Sequence, residues 1–168
     1  MKIVKIVFFV VISLWFIGCG YKPTALYARK SLSGKTYVAV PIDINNAKNS
    51  VLIKDALVEL LIGKFNVQIT HDKTKANAFV YGKLKSVSQT QLQLDTQGYA
   101  KVYRETVTVE VKYYKLGESP KVITLSNYYD FTINQDSSVT QATKDEAIKI
   151  AINKALTDIF SKIAIHSV

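Results

Sequence analysis

The sequence predicts an α+β domain, an antiparallel meander sheet with two helices packed on one face. Three observations carry that expectation. Residues 99–116, YAKVYRETVTVEVKYYKL, place Val107, Val109, Val111 and Tyr113 on one side and Thr106, Thr108, Glu110 and Lys112 on the other, the period of a half-buried strand. Residues 121–133, KVITLSNYYDFTI, repeat the pattern after the turn GESP, with Ile123, Leu125, Tyr129, Phe131 and Ile133 on a shared face. The C-terminal stretch changes to helical spacing, so strands and helices are segregated along the chain rather than alternating throughout.

From the N-terminus, Lys2 and Lys5 precede IVFFVVISLWFI, residues 6–17, which is apolar except for Ser13. A charged stretch followed by so short an apolar run is a secretory signal pattern, since a spanning helix needs roughly 20 apolar residues. The run ends on Ile17-Gly18-Cys19, and Cys19 is the only cysteine, so it forms no disulfide within the chain. A catalytic thiolate needs a histidine, and His71 and His166 lie far away in sequence. A buried filler at the end of a membrane helix fits poorly with a run this short. The pattern resembles a bacterial lipobox, in which cleavage falls just before the cysteine and its sulfur and new amine are acylated. Phe16 stands where that pattern usually has Leu. The resemblance implies a signal peptide at residues 1–18 and a lipidated tether at 19–35 on a single domain at 36–168. Acyl chains, each buried methylene contributing about 0.8 kcal/mol, would hold that domain on a membrane while the polypeptide stays in water. Gly20 rather than Asp after the cysteine favours, by the same resemblance, the periplasmic face of the outer membrane.

Removing residues 1–18 leaves 150, the size of one domain with one core. Twenty basic residues then face thirteen acidic ones, a net +7. That surplus suits an anionic partner such as lipid phosphate or glycan acid, and a secreted location disfavours nucleic acid. Ten tyrosines, with Trp15 confined to the signal, suit a sheet-rich surface of rings with polar tips.

The elements follow in order. KTYVAVPI, 35–42, reads as a short strand closed by Pro41. SVLIKDALVELLIGKF, 50–65, reads as a helix capped by Ser50, lined by Ile53, Leu57, Leu60 and Leu61, and ended by Gly63. NVQIT and the long NAFVYGKLKSVSQTQLQL, with a bend expected at Gly82, are strands, and DTQG at 95–98 turns the second into the meander. The last helix is expected to start at a capping box of Thr143 and Glu146. Ile148, Ile152, Ala155, Ile159 and Ile163 form its apolar stripe, supported by Ala151, Leu156 and Phe160, and Lys154, Asp158 and Lys162 an i,i+4 ladder outside.

CGYKP at 19–23, YVAVPI at 37–42, a helix, ANAFVYGKLKSVS at 76–88, YRETVTVEVKYY at 103–114 and a final amphipathic helix occur together in this order. That succession resembles the LptE family of lipopolysaccharide-assembly lipoproteins. The resemblance implies a lipid-anchored protein that plugs and helps assemble the β-barrel LptD and contacts lipopolysaccharide. Members carry basic residues near the tip of the central meander and before the last helix. The aligned positions here are Thr96 and Thr140, with Lys101 and Lys144 the nearest cations. Lys83, Lys85, Lys101 and Arg104 cluster on adjoining strands, where charge-assisted hydrogen bonds could meet lipid phosphates, or where the same residues could simply be solvated or face the barrel.

No HExxH, GxSxG, phosphate-binding loop or metal-ligand spacing of Cys and His occurs, and Asp43, Asp55, Glu59, Asp72 and Asp95 form no evident pair, so no enzyme and no cofactor beyond a covalent lipid is expected. A second reading is an outer-membrane lipoprotein that activates a peptidoglycan synthase. Such an activator must cross the periplasm, whereas only about 16 residues, at most ~3.5 Å each, separate Cys19 from the first strand. An adhesive or coat role is a third reading.

Overall fold

The computed structural model describes residues 32, 34–42, 47–94, 96–133 and 139–165. Cys19 and the predicted signal lie outside the described residues. Among the described residues five strands form one sheet: β1 (Lys35–Ala39), β2 (Gln68–Thr70), β3 (Ala78–Leu94), β4 (Ala100–Lys115) and β5 (Lys121–Thr132), in the order β2-β1-β3-β4-β5. Among the described residues three α-helices, α1 (Ala47–Leu60), α2 (Gln141–Thr157) and α3 (Ile159–Ile165), complete the α+β architecture.

The sheet is mixed rather than purely antiparallel. β3, β4 and β5 form the expected meander, but β1 runs parallel to both β2 and β3, with Tyr37 opposite Thr70 on one side and Phe79 on the other. The reason is the connection. A strand joined to its neighbour by a tight turn must return antiparallel, whereas a helix between two strands carries the chain back and lets them run the same way. Asn77 fixes the junction: its N–H donates to Lys35 O at 2.8 Å, and its carbonyl accepts from Leu116 N–H at 2.8 Å. Leu32, within the stretch assigned to the tether, is wholly buried.

One face of the sheet and the helices share the core. Val80, Val107, Val109, Val111, Ile123 and Leu125 meet Ile53, Leu57 and Leu61 from the first helical segment and Ile148, Ala151, Ile152, Ala155, Ile159 and Ile163 from the last. The alternation in β4 and the C-terminal stripe are therefore the core itself. Ser50 does not cap α1; the helix begins at Ala47, and Ser50 is buried one turn in. Gly63 does not end it either. The helix widens into a π turn, Leu61–Phe65, and stops at Asn66, which adopts the left-handed conformation at φ 54°. Its N–H reaches Ile62 O at 3.2 Å. Asparagine tolerates that region better than most side chains.

Gly82 lies under α1 and is not a bend: β3 runs through it unbroken, and the register irregularities fall later, between Leu84 and Ser86 and between Gln91 and Leu94. Likewise, α2 starts one turn before the expected capping box. Thr140 is the cap, its Oγ1 accepting from Thr143 N–H at 3.1 Å. Thr143 is not the cap because the helical turn already includes it; its hydroxyl instead meets that of Thr140 at 2.8 Å. The outer lysines of the C-terminal helices reach the sheet: Lys154 Nζ donates to Tyr128 O at 3.4 Å and Lys162 Nζ to Thr124 O at 3.1 Å.

Candidate functional site

With the helices on one face, the other face of the sheet has no helix across it among the described residues. Alternation brings Tyr37, Phe79, Tyr81 and Tyr114 together there, at the end where β1, β3 and β4 meet. Phe79 and Tyr114 stack with centroids 5.0 Å apart, Tyr81 lies 6.3 Å from Tyr114, and Tyr37 tilts against Phe79 at 6.5 Å. Burial, then the hydrogen bond to Tyr114, pushes the Tyr81 hydroxyl up to about 12. Lys112 Nζ sits 5.2 Å from the Tyr81 ring centroid. The result is a ring cluster with polar tips.

Farther along the same face stand the basic residues expected from the sequence. Lys83 is exposed and opposite Glu110 in register, but Glu110 pairs with Lys85, whose ammonium lies 3.3 Å from Oε2. Lys85 reaches it because it occupies the irregular step between Leu84 and Ser86. Arg104 donates from Nε and Nη2 to the two oxygens of Asp130, each at 2.7 Å, and its guanidinium lies 3.7 Å over the Tyr128 ring. Two parallel charge-assisted bonds hold that fork rigidly. The Arg104 hydrogen bond holds the Asp130 carboxyl below the usual carboxylate range, and the same bond raises the guanidinium. Between these pairs, Thr108 and Ser126 hydroxyls meet at 3.1 Å. Lys101 is exposed at the start of β4, near the hairpin tip where Leu92, Leu94 and Tyr99 are also exposed.

Lys144 is elsewhere. It lines a cleft of about 360 Å³ on the helix side, with Lys48 and Asn49 from the first turn of α1, Gln141 and Asp145 from the first turn of α2, and Gln89 and Glu105 from the sheet. Lys48 pairs with Asp145, which also accepts from Gln141 Nε2 at 2.8 Å. The Lys48 hydrogen bond, then that from Gln141, lowers the Asp145 carboxyl. Glu105 is completely buried, and neither of its oxygens has a hydrogen-bond partner among the described residues. Burial pushes its carboxyl up, with nearby Lys144 opposing. Thus the structure gathers Lys83, Lys85 and Arg104 on one face and sets Lys144 on the other. Glu105 carries no motif; its only sequence signal is its phase, two residues before Val107 on the buried side of β4.

A second cleft, about 370 Å³, runs between the C-terminal halves of α1 and α2, lined by Ala56, Leu60 and Leu156 with Glu59, Lys64 and Asn153. Among the described residues, no group of three or more His, Cys, Asp or Glu could hold a metal ion. No described helix is long and apolar enough to cross a membrane.

A family model described as LptE, lipopolysaccharide-assembly, matches residues 36–163. No curated protein sequence matches the chain. Among solved structures, rare lipoprotein B from Shewanella oneidensis is similar at TM-score 0.52 and 15% identity, over 79% of this chain and 95% of that one. A putative lipoprotein from Caulobacter crescentus matches at TM-score 0.54 and 11% identity, over 85% and 97%. An uncharacterized lipoprotein B from Nitrosomonas europaea matches at TM-score 0.51 and 14% identity, over 88% and 92%. At such identities the likeness is one of fold.

Proposed function

Since the chain belongs to the LptE lipopolysaccharide-assembly family, we propose that it is an outer-membrane lipoprotein, held at the periplasmic face by lipid on Cys19, that plugs and helps assemble an LptD-like β-barrel and contacts lipopolysaccharide on its way to the cell surface. The observation that carries this reading is the family match, which spans β1 to α3 and so covers nearly the whole packed body.

The geometry supports it in two ways. A protein seated in a barrel meets a lumen that is polar. The helix-free sheet face offers such a lumen tyrosine hydroxyls, a Thr108–Ser126 pair and ion-paired side chains instead of bare hydrocarbon. Second, Lys83, Lys101 and Lys144 have no ion-pair partner among the described residues, whereas Lys85 and Arg104 are engaged by Glu110 and Asp130. An anionic headgroup meeting Lys83, Lys101 or Lys144 displaces no existing ion pair. At Arg104 it would have to replace a two-pronged carboxylate contact.

The test is affinity purification of the chain from detergent-solubilised outer membranes, beside Cys19→Ser, with mass spectrometry of the proteins recovered. A large β-barrel in near-equal amount is the expected result, with the Cys19→Ser chain itself depleted from the membrane fraction. Recovery of a murein synthase without a barrel would replace the plug by the activator reading. Binding of purified lipopolysaccharide to Lys83→Gln, Lys101→Gln and Lys144→Gln then tells which cations take part.

A further inference from the structure

Glu105 is the only charged residue fully buried among the described residues, and the fold gives it nothing to bind. Cross-strand, it faces Gln89 on β3 and Tyr129 on β5, neither of them a cationic side chain. The charged groups of the cleft come from the two helices above: Lys48 on α1, and Lys144 and Asp145 on α2. Lys48 and Asp145 neutralise one another. Lys144 remains, on the same cleft, half-buried and without an ion-pair partner among the described residues. An ammonium on a four-carbon stem changes position by rotation alone. A buried ionised carboxylate without a partner is strongly disfavoured, so its ionisation must draw in a cation or be suppressed.

We propose that Glu105 is a positioning residue for Lys144, forming a two-state latch: the ionised carboxylate draws the Lys144 ammonium down into the cleft, and the protonated acid leaves it at the rim, open to an anionic group. The geometry of the latch stands on the cleft alone. Its use in binding rests on the reading that Lys144 meets lipopolysaccharide. Burial raises the Glu105 carboxyl above its ordinary 4.5, and the nearby Lys144 opposes that rise. The same arrangement makes Glu105 a competitor of the ligand: each holds the one ammonium only when the other does not.

The experiment is NMR titration of the mature chain in detergent micelles, following the Lys144 side-chain nitrogen and the Glu105 carboxyl carbon from about pH 4 to about pH 9. The expected result is a step in the Lys144 signal at the Glu105 midpoint, absent in Glu105→Gln. A Lys144 signal flat through that midpoint, or a step that survives in Glu105→Gln, overturns the proposal. Should Glu105→Gln fail to fold, Lys144→Gln supplies the reciprocal test. Loss of the cation must push the Glu105 midpoint higher still, and an unchanged midpoint is fatal to the latch.

Purified lipopolysaccharide provides the second readout. Relative to Glu105→Gln, wild-type affinity should fall by about three- to tenfold as pH rises through the midpoint, since each pH step of about one changes the ratio of ionised to protonated Glu105 roughly tenfold. A ratio that stays flat, in a protein whose binding does depend on Lys144, removes the release half of the proposal. If instead Lys144→Gln binds lipopolysaccharide as wild type does while the NMR step is present, the latch stands and the assignment of Lys144 to lipopolysaccharide fails.

Discussion

Replacing Gly82 by alanine tests whether close approach of α1 to the sheet holds the core together. A Cβ at that position would come within 2.7 Å of Leu57 Cδ1, 3.1 Å of Val40 Cγ2 and 3.2 Å of Ile53 Cγ2. The first distance is well inside carbon–carbon contact, and Leu57 and Ile53 are completely buried, so neither has solvent to move into. Overpacking of this kind costs roughly 1–3 kcal/mol. Alanine recovers part of that, about 0.4–1 kcal/mol, by restricting the unfolded chain. The net expectation is destabilisation of about 1–2 kcal/mol. With a urea slope of about 2 kcal/mol per molar, the unfolding midpoint should drop by roughly 0.5–1 M. The decisive arm is Leu57→Ala. Alone it should cost about 2–5 kcal/mol by opening a cavity beside Gly82. Combined with Gly82→Ala, the added methyl occupies that space, so the double variant should be at least ~1 kcal/mol more stable than the sum of the two singles. Gly82→Ala with an unchanged midpoint, or strictly additive losses, would refute the claim that these two side chains compete for one volume.

Other expectations concern the ends and the open face. Thr140→Ala should destabilise by about 1 kcal/mol through loss of the α2 cap, while Thr143→Ala, which keeps the Thr143 N–H bonded to Thr140, should change stability by less than ~0.5 kcal/mol; urea unfolding of the two variants decides which threonine is the cap. Asn66→Gly should be neutral or slightly stabilising, whereas Asn66→Val should lose roughly 1–2 kcal/mol because a branched side chain resists the left-handed turn, again read by urea. In Arg104→Gln, the Asp130 carboxyl should titrate higher than in wild type, followed by NMR. Because Arg104 depresses the folded-state pKa of Asp130, the stabilisation is present above the unfolded value and is lost as pH falls through the folded one. The variant should therefore show a shallower acid limb than wild type.

Much of the fold was legible because it rests on local periodicity. The β4 alternation and the Ile148-to-Ile163 stripe each name one face of the core, and those residues are buried. The orientation of β1 was not legible, since a run of four or five β-branched and small residues says nothing about which way its neighbours run. Helix ends were misplaced for a related reason. Ser50 and Thr143 look like caps, but a threonine or serine caps only if it stands just outside the first turn, and where that turn begins depends on what the helix packs against. Of the candidate site, the basic residues could be read from sequence, but their engagement could not. Lys85 meets Glu110 through a strand irregularity, and Arg104 meets Asp130 across a register that pairs residues 26 apart. Glu105 was within reach, because carrying the odd-numbered alternation of β4 one step back from Val107 puts a carboxyl among valines.

The two lysine contacts to β5 have a consequence beyond joining helix to sheet. Among the described residues β5 ends the sheet, with β4 as its only strand neighbour, and a terminal strand is a template on which another copy can extend the sheet. Lys154 and Lys162 occupy the carbonyls of Tyr128 and Thr124 along it. A second chain seeking to pair there would have to evict two ammonium groups. The two helices that close the core thereby also obstruct pairing of this strand with another copy.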